Sequence, residues 1–318
     1  LIQATVGDAR RALTKAARSE GRYAGNINGN AFTQAAKDAA INAIKEHMGG
    51  EIDLVIYSLA APRRTDPQTG ETYKSTLKPI GEPFTGKSVD TDKERIEEVT
   101  LQPATDEEIE GTRKVMGGED WHLWMQALRD AGVLVQGCVS LAYSYIGPEL
   151  TYPIYRHGTI GKAKEHLEAT AADVQGLLEP IGGTAHVSVN KAVVTQASSA
   201  IPVVPLYLST LIKVMKEKGI HEDCIEQMTR LFTDRLAGDT LPTDGEGRVR
   251  LDDWEMREDV QEAVKAIWPQ INDDNLRELT DFEGYQSAFL RLFGFGLAGV
   301  DYEADIDVEV PIPGIIEL

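Results

Sequence analysis

The chain has 318 residues, 42% hydrophobic and 26% charged, the balance of a globular protein able to bury a large core. Its 51 acidic residues against 32 basic ones leave a net charge of −19. That argues against nucleic acid or an anionic membrane as a partner, while still permitting an anionic ligand in a local basic pocket. Cys138 and Cys224 lie far apart without CxxC spacing, which argues against a disulfide framework or a metal site and fits a reducing cytoplasm. The chain opens on Leu1-Ile2-Gln3, so no basic segment followed by an apolar one marks a signal peptide. The longest apolar stretch, residues 200–214, is broken by Pro202 and Pro205 and is too short to span a bilayer.

In chain order, residues 8–20 predict a helix closed by Gly21, and 22–27 a short strand before the turn Asn28-Gly29-Asn30. A helix over 32–47 stops at Gly49-Gly50. Residues 53–60 form a near-continuous apolar run, the pattern of a parallel strand covered on both faces. Residues 61–92 turn to Pro, Gly, Thr and Lys and predict a hairpin-bearing excursion, with 93–112 acidic and solvated. A helix over 119–131 leads to a buried strand at 133–140, a helix at 159–178 and a strand at 186–195. Helices then follow at 203–218, 221–236, 254–267, 274–280 and 282–293, making 202–300 a mainly helical region. The tail 301–318 alternates apolar residues and predicts a last strand. Strands alternating with helices imply an α/β fold with a parallel sheet.

Gly294-Phe295-Gly296-Leu297-Ala298-Gly299 matches a dinucleotide fingerprint on paper. The chemistry requires that loop between a strand and a helix, where backbone N–H groups and the helix dipole meet a pyrophosphate. Here it follows a helix end, so it reads as a helix stop. The six histidines show no ligand-like clustering, and no metal is expected.

Four of the ten tyrosines, Tyr143, Tyr145, Tyr152 and Tyr155, fall just after the strand at 133–140. Ligands of open α/β sheets bind beyond the carboxyl ends of strands. With Thr159 as N-cap and about 100° per residue, Ile160, Lys164, Leu167, Ala171, Val174 and Leu178 share one helical face, and Lys162 points away. An inward lysine beside a phenol has a chemical use. Its ammonium stabilises the phenolate and makes the phenol a better acid near neutrality. Nine residues on one helix turn through about 900°, to the opposite face, so Tyr155 belongs in the loop ahead of the helix. Gly158 and Gly161 permit that approach. The common short-chain dehydrogenases set Tyr and Lys four apart, and this spacing departs from theirs.

These segments resemble the trans-2-enoyl-CoA / enoyl-acyl-carrier-protein reductases of the FabV type. The matching text comprises DLVIYSLAAPRRTDP at 53–67, VMGGEDW at 115–121, LAYSYIGPE at 141–149, YRHGTIGKAKEHLEAT at 155–170, VSVNK at 187–191, IPVVPLYL at 201–208 and DDW at 252–254. The likeness runs from about Ala16 to the end. It implies a single Rossmann-like reductase domain over 1–318, with 61–112 as its excursion, and NADH-dependent saturation of the 2,3 double bond of enoyl-CoA or enoyl-acyl-carrier-protein thioesters in fatty acid synthesis. By match to the family pattern, Tyr155 is the proton donor, Tyr145 contacts the substrate near its carbonyl, and Lys164 holds the nicotinamide ribose and tunes Tyr155. The family's other cofactor contacts map onto Asn30, Ala31, Leu59, Ala60, Val193, Val194 and Thr195. The resemblance further implies a cytoplasmic monomer or homodimer. Two departures stand out. Asn30 replaces an acidic residue, and the family's first strands with their Gly-rich phosphate loop have no counterpart, which makes the domain an incomplete one. A non-catalytic remnant or binding protein of the same fold is the alternative reading.

Overall fold

The structure, a computed structural model, describes residues 2–238, 240–305 and 314–318. Helix α1 (Ile2–Ser19) leads to strand β1 (Asn26–Asn28), helix α2 (Gln34–His47) and strand β2 (Ile52–Tyr57). Two antiparallel pairs follow: β3 (Arg63–Thr65) with β4 (Thr72–Lys74), and β5 (Phe84–Asp90) with β6 (Arg95–Leu101). Helices α3 (Asp106–Met116) and α4 (Glu119–Asp130) precede β7 (Leu134–Ser144), α5 (Thr159–Leu178) and β8 (Thr184–Val189). Then come α6 (Gln196–Ser199), α7 (Val204–Glu217), α8 (Cys224–Arg230), β9 (Val249–Arg250), α9 (Glu258–Ile267), α10 (Leu276–Leu279), α11 (Phe282–Arg291) and β10 (Ile315–Glu317).

The central sheet runs β2-β7-β8-β9, all parallel, with Ile56 opposite Leu141 and Leu141 opposite His186. Parallel strands joined through helices make this a Rossmann-like α/β fold. Trp121, Met125 and Leu128 of α4 and Leu167, Val174 and Leu178 of α5 pack with Ala142, Val187 and Val189 of the sheet. Leu141, Val249 and Leu251 form a separate cluster with Leu231. A third cluster surrounds α7, where Leu206, Leu211 and Met215 meet Val260, Val264, Phe282 and Tyr285 of α9 and α11 and Val89 of β5. Each such fully buried side chain contributes roughly 1.5–3 kcal/mol. The helical part and the second hairpin are thus one packed layer behind the sheet's carboxyl edge.

Several boundaries depart from expectation, each for a local reason. Residues 93–112 are not a solvated stretch. They form β6 and α3, the latter started by a capping box in which Thr105 and Glu108 exchange hydrogen bonds, with Gly111 and Thr112 buried. Strand β7 runs on to Ser144, so Tyr143 lies in it rather than after it. Its register against β2 shifts between Ile52 and Leu54, and Gly137 within β7 takes φ +79. Strand β8 stops at Val189, and 190–195 are irregular. Gly158, not Thr159, caps α5; the Thr159 hydroxyl instead donates to the Thr76 carbonyl. Helix α1 begins at Ile2 rather than 8, and the helix expected over 254–267 begins at Glu258. The one expected over 221–236 is α8 running into a π-helical turn. Strand β9 was not anticipated. In the tail, β10 pairs in parallel with β1, while 306–313 of the strand expected over 301–318 lie outside the described residues. Gly294 follows α11 with φ +81, as a helix stop requires.

Candidate active site

A cavity of about 750 Å³ opens beyond the carboxyl ends of β2, β7 and β8. Leu59 and Ala60 line it from the segment after β2, Tyr143 and Tyr145 from the end of β7, and Val193 and Thr195 from the segment after β8. Tyr155 and Lys164 enter it from the start of α5 and the loop before it. Asn30 and Ala31 are not in its lining. They stand ahead of α2, where the Asn30 side-chain oxygen accepts the Phe32 N–H at 3.1 Å and the Ala31 carbonyl accepts the Trp124 indole N–H at 3.1 Å. Val194 is 5% exposed, its side chain in the core around α7. Sequence matching therefore gathers Tyr145, Tyr155, Lys164, Leu59, Ala60, Val193 and Thr195 at one place and leaves three residues outside it.

The loop holding Tyr155 lies tight on α5 because two glycines let it. A Cβ at Gly158 would stand 2.6 Å from the Ile154 carbonyl oxygen and 2.7 Å from that of Lys78. A Cβ at Gly161 would overlap the Arg156 carbonyl oxygen. From this helix Lys164 reaches the cavity and touches the Tyr143 carbonyl at 3.5 Å, a weak bond that leaves its ammonium largely free. Lys162 is exposed and pairs with Glu165 at 2.8 Å.

The two cavity tyrosines differ in what holds them. The Tyr145 hydroxyl donates to the Glu255 carboxylate at 2.9 Å, whereas the Tyr155 hydroxyl has no hydrogen-bond partner among the described residues. Their rings meet at 82° with centroids 4.9 Å apart, an edge-to-face contact. Burial, then the charge of Glu255, pushes Tyr155 up to about 12. Burial pulls Lys164 down to about 8, against the opposing pull of Glu168. Desolvation is the largest influence on both groups.

Sequence reasoning missed Glu255. It is fully buried, and besides Tyr145 it accepts the Tyr207 hydroxyl at 2.6 Å and the Ala192 N–H at 2.7 Å. Lys191, 3% exposed, stands next to this segment and donates to the Ala192 carbonyl at 2.6 Å. The available signal was slight, an acidic residue directly after the matched DDW text at 252–254.

Residues 4–237 match the family model described as the trans-2-enoyl-CoA reductase catalytic region, and 243–306 match one described as the enoyl reductase FAD binding domain. The chain is 56% identical over 307 residues to the NADH-dependent enoyl-acyl-carrier-protein reductase FabV of Aeromonas salmonicida, covering 96% of this chain and 77% of that protein. It is likewise 56% identical over 296 residues to the trans-2-enoyl-CoA reductase (NADH) of Clostridium perfringens, covering 93% and 76%. The crystal structure of Treponema denticola trans-2-enoyl-CoA reductase in complex with NAD superposes with a TM-score of 0.89 at 52% identity, covering 93% and 74%.

The described residues of 243–306 form no seat for the flavin named in the second description. Among the described residues of that region, α9 and α11 bury Val260, Val264, Phe282 and Tyr285 against α7, and Gly294–Gly299 follows a helix rather than a strand. A nicotinamide ribose does fit, because a free ammonium on Lys164 and an unpartnered phenol on Tyr155 face the same cavity.

Proposed function

Since the chain belongs to the trans-2-enoyl-CoA reductase family, we propose that it saturates the 2,3 double bond of trans-2-enoyl thioesters of CoA or acyl-carrier protein with NADH, in fatty acid synthesis. The observation that carries this reading is the meeting of Tyr155, Lys164 and Tyr145 in one cavity at the carboxyl edge of the sheet. NADH, when bound, supplies a hydride to the substrate's β-carbon. Negative charge then develops on the thioester oxygen, and a donor must meet it there.

Tyr155 serves as that donor. Held near 12 by burial, it stays protonated across neutral pH and gives up its proton only as the substrate oxygen becomes basic. The resulting enol tautomerises to the saturated thioester as C2 takes a proton from water and the oxygen loses its own, which returns to Tyr155. Lys164, its ammonium scarcely engaged by protein, binds the ribose hydroxyls and fixes the cofactor beside Tyr155. Leu59, Ala60, Val193 and Thr195 form the walls against which the cofactor lies. The roles of Asn30, Ala31 and Val194 as contacts rest on the match to the family pattern alone. Leu77, Ile160, Val204 and Leu208 make the remaining wall apolar, which suits an acyl chain.

No described helix is long and apolar enough to cross a membrane. We place the enzyme in the cytoplasm, in keeping with two free cysteines, as a monomer or homodimer. The test is NADH consumption in the presence of crotonyl-CoA, with butyryl-CoA identified as product. An absence of saturated product would remove the assignment.

A further inference from the structure

Glu255 is a carboxylate buried behind the cavity, and it has three donors. Its Oε1 accepts the hydroxyls of Tyr145 and Tyr207, at 2.9 and 2.6 Å, and its Oε2 accepts the Ala192 N–H at 2.7 Å. Gln261 braces the arrangement by donating to the Tyr207 hydroxyl at 3.3 Å and to the Glu255 backbone carbonyl at 2.7 Å. A carboxylate fully removed from water costs several kcal/mol unless its lone pairs are filled, and here three hydrogen bonds reach it. Such a group is retained against that cost where it does a task that an apolar residue cannot.

The task follows from which walls it joins. Tyr145 lines the cavity where the proposed function puts the substrate, and Ala192 lines it beside Val193, where that reading puts the cofactor. Tyr145 has a single proton, and the carboxylate takes it. Tyr155 is thereby left as the cavity phenol with an uncommitted proton. We infer that Glu255 is a positioning residue for the reduction: it commits the Tyr145 proton, ties that ring to the 191–193 segment, and so leaves proton delivery to Tyr155 alone.

This inference rests on the proposed reductase activity, and one set of assays separates the two. Initial rates are measured with NADH and crotonyl-CoA varied in turn for the wild type, Glu255→Gln and Glu255→Ala. No turnover in the wild type would remove the functional reading itself. With an active wild type, Glu255→Gln can turn its amide so that oxygen meets the Ala192 N–H and nitrogen meets the two hydroxyls. It keeps the fold and both KM values but frees the Tyr145 proton. The expected result is a fall in kcat of about tenfold, the scale of one hydrogen bond to a charged group. Glu255→Ala releases the 191–193 segment as well, so the KM for NADH also rises, about tenfold or more. The conservative variant thus retains more activity than the truncation, with a kcat defect lacking the KM defect. Wild-type kcat and KM in Glu255→Gln would overturn the inference. So would losses in both variants that track only the fraction of folded protein by circular dichroism. If Glu255→Ala does not fold, Glu255→Gln decides alone.

Discussion

The rings of Tyr145 and Tyr155 stand 4.9 Å apart at 82°, yet only Tyr145 is hydrogen-bonded, through its hydroxyl to Glu255 at 2.9 Å. Two chemically identical side chains on one cavity thereby differ in their hydroxyl protons, one committed and one available. Removing each hydroxyl should have unequal effects. Tyr155→Phe is expected to lower kcat by about 10²–10⁴, the usual contribution of a positioned acid, with NADH binding retained by fluorescence titration. Tyr145→Phe keeps the ring contact and should cost about tenfold in kcat/KM for the enoyl thioester. Equal losses in the two variants would argue against this division.

Lys164 gives a pH prediction with opposite signs for activity and stability. Burial brings it down to about 8, so the ammonium proposed to grip the ribose is lost as pH rises through that value. The kcat/KM for NADH should therefore fall above about pH 8. Because the unfolded lysine titrates higher, the unfolded chain binds more protons between the two values, and this residue's contribution to stability rises with pH over the same window. Lys164→Met should remove both trends: it folds at least as stably near neutrality and loses about 10–100-fold in NADH affinity.

Gly161 and Gly176 lie on the same helix in different surroundings. At Gly161 a methyl group overlaps the Arg156 carbonyl, while at Gly176 nothing stands within 4 Å. Gly161→Ala should displace the loop bearing Tyr155 and cost up to about 10²-fold in kcat, as ångström-scale misplacement does. Gly176→Ala should leave kcat alone and stabilise the fold by about 0.5–1 kcal/mol, read from the urea midpoint.

Asp120 and Lys37 form a buried ion pair at 3.0 Å, exposed 1% and 2%. Asp120 is raised by burial in spite of Lys37, so desolvation exceeds attraction there. Asp120→Ala should cost about 3–5 kcal/mol by leaving Lys37 uncompensated, whereas the double change Asp120→Leu with Lys37→Met should cost far less. A comparable loss in the double variant would show that the pair itself contributes the stability.

The helices and parallel strands were legible because their periodicities are strong. Helix α5 runs Thr159–Leu178, as its apolar stripe requires, and Lys164 faces the cavity while Lys162 faces water. What was not legible is non-local. The acidic text of 93–112 reads as solvated because its glutamates point outward, but β6 is held by pairing with β5 and α3 by packing on α5. Glu255 joins Tyr145, Tyr207 and Ala192, which are 110, 48 and 63 residues away, and no periodicity encodes such a junction. At Tyr155 the sequence shows proximity to a lysine, whereas the burial that raises the phenol is set by the tertiary packing around the cavity.

The central claim is that Tyr155 delivers the proton during NADH-dependent saturation of an enoyl thioester. Its most direct test follows NADH absorbance while crotonyl-CoA is added to the wild type and to Tyr155→Phe, with the thioester product identified by mass spectrometry. The account predicts one butyryl-CoA per NADH consumed in the wild type, and a rate at least about 10²-fold lower in the variant, with NADH still bound. Wild-type turnover in Tyr155→Phe, or loss of NADH without saturated product, would contradict it.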